Sequence, residues 1–193
     1  MGRNPEFDKA EVVARALELF WTHGYEATSI EDLSGHLGIG RASLYNTFGD
    51  KRGVLQAALD LYGQASCEAL DSFAKRPGKG RAIIDALLSW QGDDAFSERH
   101  PRGCFFLAMG SELREEDPRV IGCVREGLDK IESTFHELLR RGQDDGSIPT
   151  DLNVRFTARF LAGVMVAVRA LARVGGSTEM VAAMLESGRR ALE

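Results

Sequence analysis

The sequence predicts an all-α chain in two parts. Residues 1–50 would form a three-helix domain carrying a helix-turn-helix, and residues 51–193 a larger helical domain. Three observations carry this. Apolar residues recur at three- and four-residue intervals, and no stretch alternates with the two-residue period of a strand. The 5 prolines all fall at breaks between those periodic runs. The runs are short before Lys51 and long after it, which places a domain boundary there.

Helix 1 reads from "DKAEVVARALELFWTHGY", with Val12, Val13, Ala16, Leu17, Phe20 and Trp21 on one face, Asp8 as cap and Gly24 as stop. In "ATSIEDLSGHLGIG", Thr28 and Glu31 have capping-box spacing, Ile30, Leu33 and Leu37 face inward, and Gly38 ends the helix. A third short helix follows from Arg41 to about Thr47. From Lys51, apolar spacing continues through Val54, Leu55, Leu59, Tyr62, Leu70 and Phe73 until "KRPGKGR", which reads as a solvated connector and lacks P-loop spacing. Ile83–Trp90 form a fifth helix, and "GDDAFSERHPRG" a loop. Cys104–Leu113 make a short buried helix. The seventh opens with Asp117 as cap and Pro118 at its first position, and closes with Arg140, Arg141 and Gly142. A long eighth helix stops at Gly175 and Gly176, and "STEMVAAMLESGRRALE" is the last.

With 193 residues, 44% hydrophobic and 27% charged, the chain has the composition of a globular protein, which excludes disordered and fibrous classes. A net charge of −5 and a pI near 5.5 advertise no nucleic acid, so any basic footprint must be local. "MGRNPEFDKA" lacks the apolar segment of a secretory signal, and Glu6 breaks the myristoylation pattern. The longest apolar run, Phe160 to Val168, is too short to span a bilayer and has Arg155, Arg159, Arg169 and Arg173 around it. A cytoplasmic protein with no membrane partner is expected. Cys67, Cys104 and Cys123 contain no CxxC pair, against a disulfide framework or a thiolate zinc site.

Two short helices around a glycine turn, braced by a longer one, suit duplex DNA. The third helix would present Gly40, Arg41, Ala42, Ser43, Tyr45 and Asn46. Arg41 can donate twice to guanine or reach a phosphate, and the small Gly40 and Ala42 permit close backbone approach. Thr28, opening the second helix, and Lys51, opening the fourth, are candidate phosphate holders. Against this, the segment through Leu55 is net acidic, although Arg41 to Arg52 holds three bases and one acid. Leu44 and Phe48 read as core, and Tyr45 can be read as covering it.

"ALELFWTHGYEATSIEDLSGHLGIGRASLYNTFGDKRGVLQAAL" resembles the DNA-binding domain of the TetR (tetracycline-repressor-like) family of bacterial transcription regulators. The marks are "F..GY.ATS...L", "LGIGRASLY" and "YNTFGDK". The resemblance implies a recognition helix in which Arg41, Ser43 and Asn46 face bases or nearby phosphates and Tyr45 reaches the backbone. Thr28 and Lys51 would hold phosphates, and Arg3 would lie along the minor groove. Ala42 is a departure, since relatives often carry proline there. "RGCFFLAMGSEL" is similar to a segment in a branch that includes reactive-electrophile sensors.

The family resemblance further implies a C-terminal ligand-binding and dimerisation domain, a homodimer paired through its last two helices, a palindromic double-stranded DNA operator, and an unidentified small-molecule inducer. Phe156, Phe160, Gly163, Val164, Ala167 and Ala170 on the eighth helix, with Val181, Met184, Leu185 and Gly188 on the ninth, offer the dimer seam, although a monomer core can use the same stripe. Trp90, Phe96, Cys104, Phe105, Met109 and Phe135 are candidate ligand-lining residues, although plain core is the default reading of each. Cys104 follows Arg102 and Gly103 at a helix start, where thiolate is favoured, so thiol modification is a second possible trigger. No nucleophile dyad, acid/base pair, metal cluster or cofactor motif is visible, and an enzyme is not expected. The rival reading is a helical small-molecule carrier with an incidental helix-turn-helix.

Overall fold

The computed structural model describes residues 7–97, 103–113 and 117–193; among them are nine helices and no strand. These are α1 (Lys9–His23), α2 (Ile30–Leu37), α3 (Arg41–Phe48), α4 (Lys51–Ala74), α5 (Gly80–Ala95), α6 (Phe105–Leu113), α7 (Pro118–Asp144), α8 (Val154–Arg173) and α9 (Thr178–Arg190). The all-α expectation holds across this range.

The compact units do not divide at residue 51. The first takes Met1–Ala65 with Phe105–Val124, and the second takes Ser66–Cys104 with Arg125–Glu193. In the first, Val54, Leu55, Ala58 and Leu59 of α4 are fully buried, so the start of that helix is core for the helices before it. Aromatic rings recruit α6 to the same unit. Tyr62 of α4 packs edge-on against Trp21 of α1 (5.2 Å between centroids) and against Phe106 of α6 (4.9 Å), and Phe105 lies 5.9 Å from Trp21. No local pattern signals these contacts, because their partners are far apart in sequence.

The α2 cap sits one residue later than the Thr28–Glu31 spacing suggests. Ser29 is the N-cap: its Oγ accepts from the Asp32 N–H (3.1 Å), while Asp32 accepts from the Ser29 N–H (2.9 Å). Both pairs have capping-box spacing. The register is decided by Thr28, which is buried and donates its hydroxyl to the Gly24 carbonyl at 2.7 Å.

In the second unit, Ile84, Leu87 and Leu88 of α5 pack with Phe135 and Leu138 of α7, Leu161 and Met165 of α8, and Val181 and Leu185 of α9. α5 extends well beyond the expected Ile83–Trp90, through residues assigned to a loop. Its added polar turn faces α8: Gln91 Nε2 donates to the Met165 carbonyl (3.0 Å), and Asp94 pairs with Arg169 at 2.6 Å. α7 runs past Gly142, which is an approach point and not a cap. A Cβ on Gly80 would stand 2.4 Å from the Gly142 nitrogen. Arg141 turns back to donate to the carbonyls of Ala74, Arg76 and Gly78, pinning the connector expected to be merely solvated.

The expected dimer stripe splits into two faces. Val164, Val181, Leu185 and Gly188 are buried within the unit's own core. Phe156 (72% exposed), Phe160 (39%), Gly163 and Ala170 point outward, with Ala167 and Met184 half-buried. Adjacent helical faces read alike when small and apolar residues occupy both.

Candidate nucleic-acid interface

The turn between α2 and α3 is set by Gly38, whose φ of 69° is left-handed and natural only for a residue without Cβ. The chain then buries Ile39, whose carbonyl accepts from Ser34 Oγ at 2.6 Å, so the turn is held from inside. Arg15 of α1 donates to the carbonyls of His36 and Leu37 and closes the α2 end. α3 begins at once with Gly40 as N-cap, and no side chain caps it. Its first backbone N–H groups are therefore left for an outside acceptor, at the positive end of the helix.

Leu44 alone is fully buried on α3, with Thr47 and Phe48 half-buried. Arg41, Ala42, Ser43, Tyr45 and Asn46 are all exposed, Tyr45 by 48%. Tyr45 is thus no lid on the core. A helix of eight residues with one side chain buried and two half-buried leaves the other five on its surface for contact. Gly40 is exposed too, and a Cβ there would touch nothing within 4 Å.

Two sequence-predicted residues stand differently. Thr28 presents neither group to solvent: its hydroxyl is bonded to Gly24 and its N–H to the Tyr25 carbonyl (3.1 Å). A phosphate role for Thr28 does not fit a side chain 2% exposed. Lys51 is half-buried with Nζ 4.1 Å above the Tyr25 ring, a cation–π contact that fixes its ammonium near the α1–α2 turn. Arg3 lies outside the described residues.

The surface is braced from behind by carboxylates of the 105–124 segment. Glu112 of α6 accepts from the N–H groups of Tyr25 (2.7 Å) and Glu26 (3.1 Å), in the turn feeding α2. Asp117, 4% exposed, accepts from Arg52 Nε at 2.7 Å and from the N–H groups of Arg119 and Val120. The Arg52 guanidinium holds the Asp117 carboxyl below its ordinary range. Burial, with Glu26 and Asp50 nearby, raises the Tyr25 phenol. Sequence reasoning missed Glu112, whose bonds span 87 residues and leave no local signal. It also missed Glu31, whose Oε1 lies 2.6 Å from Arg41 Nη2. Reading the cap as Ser29–Asp32 would have freed Glu31 for that role.

The expected ligand-lining residues are not brought together in one unit. Trp90, Phe96 and Phe135 belong to the second unit's core cluster, whereas Phe105 and Met109 are fully buried in the first. The reason is α6, which the rings of Trp21 and Tyr62 draw to the first unit. Cys104 is half-buried just before α6. It follows Gly103, whose carbonyl accepts from Arg169 (3.3 Å) and on which a Cβ would stand 2.8 Å from the Arg173 Cβ. Among the described residues no cluster of His, Cys, Asp and Glu fits a metal ion, and no helix is long and apolar enough to cross a membrane.

Comparison with known proteins agrees with this geometry. Residues 12–58 match the family described as bacterial regulatory proteins, tetR family, and residues 79–187 match the tetracyclin repressor-like C-terminal domain. The chain is 32% identical over 176 residues to the HTH-type transcriptional regulator YezE of Bacillus subtilis (strain 168), covering 90% of each. It is 30% identical over 186 residues to the HTH-type transcriptional repressor ComR of Escherichia coli (strain K12), covering 92% of this chain and 85% of ComR. Among solved structures, a cysteine mutant of the TetR family regulator CifR in complex with 26-bp double-strand operator DNA superposes with a TM-score of 0.84, at 28% identity and full coverage of both chains. With an exposed, uncapped α3 on a braced turn and both halves matched, the chain belongs to the TetR family of DNA-binding bacterial transcriptional regulators.

Proposed function

We propose that this chain is a repressor that binds a palindromic operator as a homodimer and releases it when a small molecule or a thiol reagent acts on the second unit. The observation that carries the reading is the exposure of the α3 face. On it Arg41, Ser43 and Asn46 would meet base edges, Tyr45 the sugar-phosphate backbone, and Gly40 and Ala42 would admit close approach. Lys51 supplies a phosphate contact from the start of α4, and the uncapped α3 terminus supplies backbone donors. ComR being a repressor and CifR binding operator DNA support the same assignment here.

One α3 helix covers too little DNA for a specific complex, so two copies are required. The seam is the outward stripe of α8, Phe156, Phe160, Gly163, Ala167 and Ala170, continued on α9 by Met180 and Met184. For the effector, the second unit offers Trp90 and Phe96 beside polar groups set into its core: Gln91, whose Oε1 has no protein partner, and the Asp94–Arg169 pair. A ligand there, or modification of Cys104 next to the Arg169-bound Gly103 carbonyl, would act on the segment that continues directly into α6. Glu112 and Asp117 then relate that segment to the turn before α2 and the start of α4. Only differential binding to the operator-competent and released states gives such a response.

The test is selection of bound sequences from a random duplex pool at near-physiological salt. One enriched palindrome, bound by two chains, is the expected result. Failure to enrich any sequence, at low salt as well, would overturn the reading and favour a small-molecule carrier.

A further inference from the structure

We infer that Glu31 is a specificity-determining residue: held against Arg41, it turns the recognition helix toward a neutral base edge and away from phosphate. The inference rests on the reading of α3 as the DNA-contacting helix. Arg41 is the one Lys or Arg on α3, so the helix brings a single formal charge to its target. That charge is met by Glu31 from the first turn of α2, with Oε1 2.6 Å from Nη2 and both side chains more than half exposed. The α2 cap does not need Glu31, because Ser29 and Asp32 satisfy each other. An acidic side chain here, on the surface offered to a polyanion, therefore carries a cost that the capping of α2 does not explain.

The pairing has a chemical consequence. A guanidinium carries five N–H donors, so a carboxylate on one nitrogen leaves others free. Guanine offers two neutral acceptors, O6 and N7, which can join the pair without opposing charge. A phosphate in the same position faces the Glu31 carboxylate as well as the guanidinium. Two like charges about 4 Å apart in water cost about five-fold in affinity. Binding to random DNA is almost wholly phosphate-driven, so Glu31 penalises it more than it penalises binding to the operator.

The experiment uses the full chain in four forms: wild type, Glu31→Gln, Arg41→Ala and the double variant. Each is titrated on the selected operator and on a scrambled duplex of equal length across a salt series, after circular dichroism has established equal helicity. Glu31→Gln should tighten binding to the scrambled duplex about five-fold, and change operator binding by no more than about two-fold. Its salt dependence on scrambled DNA should steepen by about one ion. In the Arg41→Ala background, Glu31→Gln should leave the operator-to-scrambled ratio unchanged. An equal effect on both duplexes, or an effect that persists without Arg41, would overturn the inference, because Glu31 would then act only as bulk charge. If Arg41→Ala itself leaves the ratio at the wild-type value, the parent reading falls with it. If Arg41→Ala collapses the ratio and Glu31→Gln does not alter it, the Glu31 inference alone is wrong.

Discussion

A Cβ placed on Gly53 would stand 1.8 Å from the carbonyl oxygen of Phe48, and 2.9 Å from its carbon. These are backbone atoms at the last residue of α3, so they cannot yield as the end of a flexible side chain would. The Gly53 N–H meanwhile donates to Asp50 Oδ1 at 2.7 Å, capping the helix that follows. Gly53 is thus the residue that lets α3 and α4 meet in a tight turn. Gly53→Ala should destabilise the protein by about 2 kcal/mol, the scale of an overpacked core position, in chemical denaturation. It should also weaken operator binding by more than the lost stability explains, because α3 must shift while its reading side chains remain intact. An Ala variant as stable as the wild type would show that the turn relaxes freely.

At the scale of elements, α7 starts on a buried carboxylate. Asp117 accepts from two N–H groups of its own helix and from Arg52 of α4, and the guanidinium draws its ionisation below the usual 3.8. A carboxyl whose folded pKa is depressed contributes stability that is fully present above its unfolded value and is lost as pH falls through the folded one. Asp117→Asn retains a capping oxygen and removes the charge. Since Arg52 is half exposed, the variant should lose only about 1 kcal/mol at neutral pH. Denaturation of both proteins between neutral pH and pH 3 should show that difference shrinking below about pH 4. A constant difference would mean that the charge contributes nothing. Asp117 as a cap was legible from "EEDPRV", as were α1, α2 and α3 from their spacing and glycines, since each depends on neighbours within a few positions. Asp117 as the partner of Arg52, and α6 as a member of the first unit, were not legible, because ring packing on Trp21 and Tyr62 decides them. The same limit explains the one-residue slip of the α2 cap: two boxes fit the sequence, and burial of Thr28 chooses between them.

At the scale of the whole molecule, the proposed homodimer needs a seam, and α8 carries an outward apolar stripe that the core of its own unit leaves largely open. Phe156, Phe160, Gly163, Ala167 and Ala170 follow spacings of four, three, four and three, the rhythm of a helix seam, and Phe156 alone is 72% exposed. The residues that pack inward from the same helix, Ala158, Leu161, Val164, Met165 and Val168, are all buried, so the stripe is surplus to the core of the monomer. Large exposed phenylalanines on a chain of net charge −5 are a solubility liability unless covered, and a second copy of the same face covers both at once. Replacing Phe156 and Phe160 together with Glu puts like charges across that seam while leaving the monomer core untouched. Sedimentation should then give a monomer of unchanged helicity where the wild type gives a dimer. Operator affinity should fall by at least about a hundred-fold, because two half-sites can no longer be held by linked heads. If the double variant remains dimeric, pairing runs through another surface. If it becomes monomeric yet binds the palindrome as tightly as before, each α3 helix is sufficient alone and the two-headed reading is wrong.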